Sequence, residues 1–251
     1  MKKVQPQAVN EVDMSWDQKQ TSADAVQRQE RRRARGLELA KGLGVDGEEA
    51  LLRCCADGQS EASARGVACL ALGFLGYKPA VPILLELAND SDLSIVVNAT
   101  RALEMIPSPE IVLPMLSLAK DATRVEVRNR AIDVLGTLGD NQAEETLVSI
   151  LCDHAEAETT RCCAAAAIGG LLQHSDVATA RLLDVLKEPS AILRWTALNT
   201  LGIMGDESAI PAIQACLSDG EIVPHLPSET TVASAAESAL RNLKVCAQPA
   251  S

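Results

Sequence analysis

The sequence predicts an all-α fold, a right-handed α-α superhelix of about six helical-hairpin units, and three observations carry that reading. First, alanines recur at Ala68, Ala99, Ala131, Ala164, Ala197 and Ala236, at intervals of 31, 32, 33, 33 and 39 residues. A fixed period of this size is the signature of a stacked repeat array. Second, a large aliphatic residue follows each alanine by four positions, at Leu72, Leu103, Leu135, Ile168, Leu201 and Leu240. Residues four apart share one helix face, so each pair marks a small contact point beside a core-filling side chain. Third, the intervening segments carry apolar residues at i, i+4 and i+7: Ala80, Leu84, Leu87; Ile111, Met115, Leu118; Ala143, Leu147, Ile150; Ala178, Leu182, Val185; and Ala209, Ile213, Cys216. That spacing is helical, and nowhere does a useful length alternate with period two.

Residues 1–22 are polar and lack apolar periodicity, which predicts a disordered N-terminal tail. Trp16 stands out there as an anchor for a short linear motif. A helix is expected from about Ala23, capped by Ser22 or Asp24, to the stop signal at Gly42 and Gly44. It carries Arg28, Arg31, Arg32, Arg33, Arg35 and Lys41 against Glu30 and Glu38, a basic feature able to dock an acidic partner. A helix over Gly47 to Ala56, with acidic residues in its first turn, completes an irregular terminal unit.

The regular units follow. Each has a first helix ending in an LGxLG-like turn, then a second helix ending at an acidic residue: Asp90, Asp121, Asp153, Glu188 or Asp219. Gly73, Gly136, Gly169 and Gly202 are expected to permit the chain reversal. Arginine stands three residues before the alanine at Arg65, Arg128, Arg161 and Arg194, with Val96 and Ala233 at the other two places. Residues 220–231, with Pro224 and Pro227, insert a loop before the final helix at about Val232 to Leu243 and account for the 39-residue interval. Such a loop either carries function or closes the core. The expected domains are a tail over 1–22, a solenoid over 23–245 and a disordered C-terminal tail over 246–251.

The strings R128NRAIDVLGTLGD140 and R194WTALNTLGIMGD206 resemble the HEAT repeat, in the short bacterial form shared with E/F-type phycobilin lyases. The likeness spans roughly residues 24–245. It implies a HEAT-like solenoid with its second helices on the concave side. It also implies a ladder in which the aspartate ending one unit meets the arginine of the next, as Asp121 with Arg128 and Asp153 with Arg161.

Composition narrows the function. The net charge of −11 disfavours general binding to nucleic acid or anionic lipid. No apolar run is long enough to span a membrane, and the N-terminus lacks the apolar core of a secretory signal. Eight cysteines without paired spacing, including the vicinal Cys54-Cys55 and Cys162-Cys163, read as reduced thiols of a cytoplasmic protein that pack as small hydrophobes, not as metal ligands.

Enzymes of similar fold set residue requirements. Di-iron hydroxylases of this type use repeated His-Glu dipeptides, whereas His154, His174 and His225 precede Ala155, Ser175 and Leu226. The cluster Asp153, His154, Glu156 and Glu158 reads as a solvated turn. A DNA glycosylase of this type needs a cationic groove and stacking aromatics, and the chain has four aromatic residues. No metal, cofactor or catalytic residue is assigned. The favoured reading is a non-catalytic scaffold or adaptor holding a protein partner on the concave face, through Ile83, Glu86, Ser117, Thr146, Ser149, Arg181 and Asp184. Pro114, Ala212 and Ala215 fall on the same face. The alternative is a phycobilin lyase or chromophore chaperone of the E/F type. A tail-mediated contact through Trp16 or the Arg31–Arg33 helix is a further expectation.

Overall fold

A computed structural model of the protein describes the backbone of residues 14–173, 175–227 and 230–246, with side chains described over 26–243 apart from 174, 228 and 229. The expected disorder of residues 1–13 and 247–251 lies outside the described residues, as does His174.

The leading helix α1 spans Met14–Gly42, so helix begins at Met14 where a start at Ala23 was expected. The stretch from Met14 to Ser22 lacks the apolar spacing that marks a packed helix, yet it continues the helix hydrogen-bond ladder without a break. The short α2, Glu48–Ala56, follows a Gly47 with φ of 84°, and its first-turn Glu48 and Glu49 suit the positive end of the helix dipole.

Five hairpins then pair a long first helix with a shorter second one. These are α3 (Ala62–Leu75) with α4 (Val81–Leu87), α5 (Leu93–Met105) with α6 (Val112–Asp121), and α7 (Val125–Leu138) with α8 (Glu144–Cys152). They continue with α9 (Glu158–Ile168) and α10 (Asp176–Val185), α11 (Ala191–Met204) and α12 (Ile210–Ala215), and the array ends on α13, Val232–Cys246. A single 3-10 turn leads into α4, α6, α8 and α12. Each first helix lies against the next first helix, and the second helices form the other layer.

The alanine register is the core of the molecule. Ala68, Ala99, Ala131, Ala164, Ala197 and Ala236 are all buried, as are Leu72, Leu103, Leu135, Ile168 and Leu201, while Leu240 is half-buried against the same core. The second-helix columns are buried as expected, except that Leu118 and Cys216 are half-buried.

The glycines divide their work differently from the expectation. Chain reversal falls to the second glycine of each LGxLG turn, at Gly76, Gly139 and Gly205, with φ of 67°, 68° and 75°. The first glycine lies inside the helix and lets the next unit approach. A Cβ built on Gly73, Gly136 or Gly202 would stand 2.5, 2.7 and 2.7 Å from the Cα of Ala102, Ala167 and Ala239. Glycine at these sites sets the spacing between first helices, because a methyl group would strike backbone.

The second junction breaks this rule. Glu104 occupies the position equivalent to Gly73, five residues after the column alanine, and is half-buried. Arg130 of α7 answers it at 3.3 Å and also bonds Asp133 at 3.0 Å and the Thr100 hydroxyl at 3.2 Å. Burial pushes the carboxyls of Glu104 and Asp133 above their ordinary values, against the pull of Arg130.

Part of the inserted loop closes the fold, while Pro224 and Pro227 stay exposed. Ile222 pairs with Thr231 in an isolated bridge, Val223 is fully buried, and Thr231 and Ser234 cap α13 reciprocally. The closing role accounts for these residues.

Candidate interaction surfaces

The arginine ladder exists, with partners other than those expected. Each guanidinium sits in the first turn of a first helix, beside the C-terminal end of the preceding second helix, where carbonyls lack intrahelical partners. Arg65 Nε donates to the Cys55 carbonyl, Arg128 to Ala122, Arg161 to Leu151, and Arg194 to Glu188 and Pro189. The carboxylate comes from the far end of the arginine's own hairpin. Arg65 meets Asp90 at 3.3 Å, Arg128 meets Glu156 at 2.7 Å, and Arg194 meets Asp219 at 2.9 Å and Glu221 at 2.6 Å. Arg161 grips Glu188 with both terminal nitrogens, at 2.9 and 2.6 Å.

The pairs Asp121–Arg128 and Asp153–Arg161 therefore do not form. Asp153 instead accepts the Ala155 amide at 2.9 Å, and Asp121 accepts the Ser117 hydroxyl at 3.3 Å. The preceding helix end offers its carbonyls to the arginine, while Asp153 caps the following turn and Asp121 turns back onto its own helix. Two half-buried arginines carry a buried nitrogen without a partner: the ladder residue Arg128, at Nε, and Arg124, at Nη2, whose Nη1 donates to the Ser91 carbonyl at 2.8 Å.

Glu156 is taken by Arg128 and Glu158 accepts from the Ser190 hydroxyl, so the turn carrying Asp153 and His154 is divided among separate partners. Among the described residues no group of three or more His, Cys, Asp or Glu side chains converges on a point where a metal ion could sit.

The cysteines divide by depth. Cys55 and Cys69 are buried, Cys54, Cys162, Cys163 and Cys216 are half-buried, and Cys152 is exposed, which departs from the expectation for that residue. The Cys69 thiol donates to the Cys55 sulfur at 3.5 Å, and this bond together with burial raises the Cys55 thiol far above the usual range. Burial pushes Cys163 up to about 12. Such thiols stay protonated and inert near neutral pH.

The residues expected to meet a partner lie on successive second helices, but not all reach the surface. Glu86 on α4, Ser117 on α6, Ser149 on α8, and Arg181 and Asp184 on α10 are exposed; Ile83 is half-buried against the core. Thr146 is 5% exposed and belongs to the interior, whereas Arg181 at the equivalent position of α10 is exposed. Pro114 and Ala212 are half-buried and Ala215 is exposed. Asp184 accepts from Lys187 at 2.9 Å and Arg181 at 3.5 Å, and the Lys187 bond chiefly holds its carboxyl below the usual aspartate value. A small cavity of about 170 Å³ beside them is lined by Cys152, His154, Arg181, Asp184 and Glu188.

A larger groove had no counterpart in the sequence reading. About 760 Å³ of space lies between α1 and the C-terminal ends of α3 and α5, lined by Arg28, Arg31, Arg32 and Arg33 on one side and by Phe74, Leu75, Met105 and Pro107 on the other. The arginines were visible in the sequence as a basic helix. Their apolar counterpart was not, since it lies more than forty residues away.

No helix among the described residues is long and apolar enough to cross a membrane. The Trp16 backbone belongs to α1, and its side chain is outside the described residues.

Comparison with known proteins bears on the repeat unit. Residues 145–224 match the family model of HEAT repeats. No curated protein matches the chain in sequence. Among solved structures, an engineered protein is similar at 18% identity, over 80% of this chain and 98% of that one, with a TM-score of 0.51. The complex of CpcE and CpcF of phycocyanin lyase from Nostoc sp. PCC7120 is 22% identical over 84% of this chain and 88% of that one, with a TM-score of 0.43. A designed armadillo repeat protein in complex with the peptide (KR)4 is 16% identical over 77% and 98%, with a TM-score of 0.48. The match to HEAT repeats covers residues 145–224, and the hairpins on either side share the same two-helix build.

Proposed function

We propose that the protein is a non-catalytic scaffold or adaptor that holds a segment of a protein partner along the layer of second helices. The observation that supports this reading most is the division of side chains in the array. The polar groups of the first-helix turns are spent on the ladder, whereas Glu86, Ser117, Ser149 and Arg181 recur on the consecutive second helices α4, α6, α8 and α10 and face solvent. A surface of short side chains with a charge every few residues admits an extended peptide or a helix at close range. On this reading the contact residues are Ile83, Glu86, Ser117, Ser149, Arg181 and Asp184, and the second helices line the concave side.

Affinity purification of the tagged chain from its own cells, followed by mass spectrometry, identifies the partner. The double variant Arg181→Glu with Ser149→Glu changes only exposed positions. It is expected to lose that partner with an unchanged melting temperature; equal recovery by both chains rules out this face. Addition of a bilin to the purified chain, read by absorbance, checks the chromophore-binding alternative in the same preparation.

A further inference from the structure

We infer that the groove between α1 and the ends of α3 and α5 is a second docking site, which takes an acidic peptide segment carrying one large apolar side chain. The site stands apart from the second-helix layer, and its argument does not depend on that layer binding anything.

The groove joins two chemistries that the rest of the molecule keeps apart. Residues 26–35 of α1 are all exposed, so its arginines stand out from the body. Gly36 is the first buried residue among the described side chains of α1, and a Cβ there would lie 2.8 Å from Leu75 Cγ. The helix is thereby held against the end of α3 while its arginine-bearing segment overhangs Phe74, Leu75 and Met105, which are half-buried, and the exposed Pro107.

The cations there are incompletely compensated. Arg35 pairs with Glu38 at 2.7 Å, and Arg33 reaches Glu48 only at 3.9 Å. Arg31 and Arg32 make no hydrogen bond or ion pair among the described residues. In a chain of net charge −11, five arginines within Arg28 to Arg35 form a local inversion of sign. Guanidinium groups bind carboxylates in a paired, directional way that lysines do not.

Charge complementarity selects an anion, and the apolar wall selects its kind. A bare phosphate or small carboxylate would leave Phe74, Leu75 and Met105 uncovered. A peptide that alternates carboxylates with one leucine or aromatic side chain satisfies both walls, with its backbone running along α1. A long nucleic acid would extend past the groove onto an acidic body, where its phosphates are repelled, and it would find only one aromatic ring on which to stack.

The test uses the full chain and a fluorescein-labelled peptide of alternating glutamate and glycine with one central leucine, read by fluorescence anisotropy at physiological salt. Two further probes carry the same label: the peptide with leucine replaced by glycine, and an oligothymidine of similar length. Saturable binding of the first peptide is expected. It should weaken about tenfold in the variant Arg31→Glu with Arg32→Glu, as for loss of paired charge contacts at an interface. The leucine-free peptide and the oligothymidine should both bind more weakly. The two substituted positions are exposed, so the variant should keep the wild-type melting curve. Absence of saturable peptide binding overturns the inference. So does equal binding by the variant, indifference to the leucine, or tighter binding of the oligothymidine, which would make the groove a general polyanion surface.

Discussion

At the level of single residues, the same side-chain type serves different ends according to its place in the unit. The column alanines and the leucines after them were legible in the sequence, because helix periodicity determines which side chains share a face. The ladder arginines were legible as structural, but their carboxylates were not. Arg161 has Asp153 eight positions before it and Glu188 27 positions after it, and only the hairpin's closure brings the second within 2.6 Å. The difference can be measured. Arg161→Ala strands Glu188 and the Leu151 carbonyl in a half-buried site, so thermal denaturation should show a loss of roughly 1–3 kcal/mol. Asp153→Ala removes only a turn hydrogen bond and should cost no more than about 1 kcal/mol. Equal losses would restore the ladder first expected.

Glu104 offers a second test on the residue scale. Its carboxyl lies above the ordinary value of 4.5 chiefly through burial, so the folded protein holds that proton more tightly than the unfolded chain does. The resulting stabilisation is fully present below the unfolded value and is lost as pH rises through the folded one. Glu104→Gln should therefore flatten the dependence of stability on pH between about 4.5 and neutrality, relative to the parent chain. Identical pH profiles for the two chains would show that Glu104 is not strained by burial.

Among the elements, the hairpins were legible because each carries its own punctuation: glycine after the first helix, and proline, aspartate or serine before the next. What the pattern could not assign was the separate duty of each glycine in the LGxLG turn, since the two differ only in which neighbour approaches them. Gly136 keeps α7 close to α9, whereas Gly139, at φ of 68°, reverses the chain. The start of α1 was also hidden, because the stretch from Met14 to Ser22 has no apolar period to betray a helix. The packing register predicts that Ala164→Leu overfills the α9 core and lowers stability by roughly 1–3 kcal/mol in a denaturant titration. A variant as stable as its parent would contradict the register along the whole column.

For the whole molecule, the sequence gives the array and its sign of charge, while the surfaces between units appear only in three dimensions. Thr146 shows the limit from one side: its spacing placed it among partner contacts, and packing of neighbouring hairpins buries it. The groove under α1 shows it from the other, because basic helix and apolar wall belong to segments that the fold brings together. The proposed recognition on the layer of second helices is checked by hydrogen–deuterium exchange of the chain alone and with its captured partner. Slowed exchange is expected across α4, α6, α8 and α10 in the complex. Slowed exchange confined to the first helices or to the loop over residues 220–231, with the second helices unchanged, would contradict it.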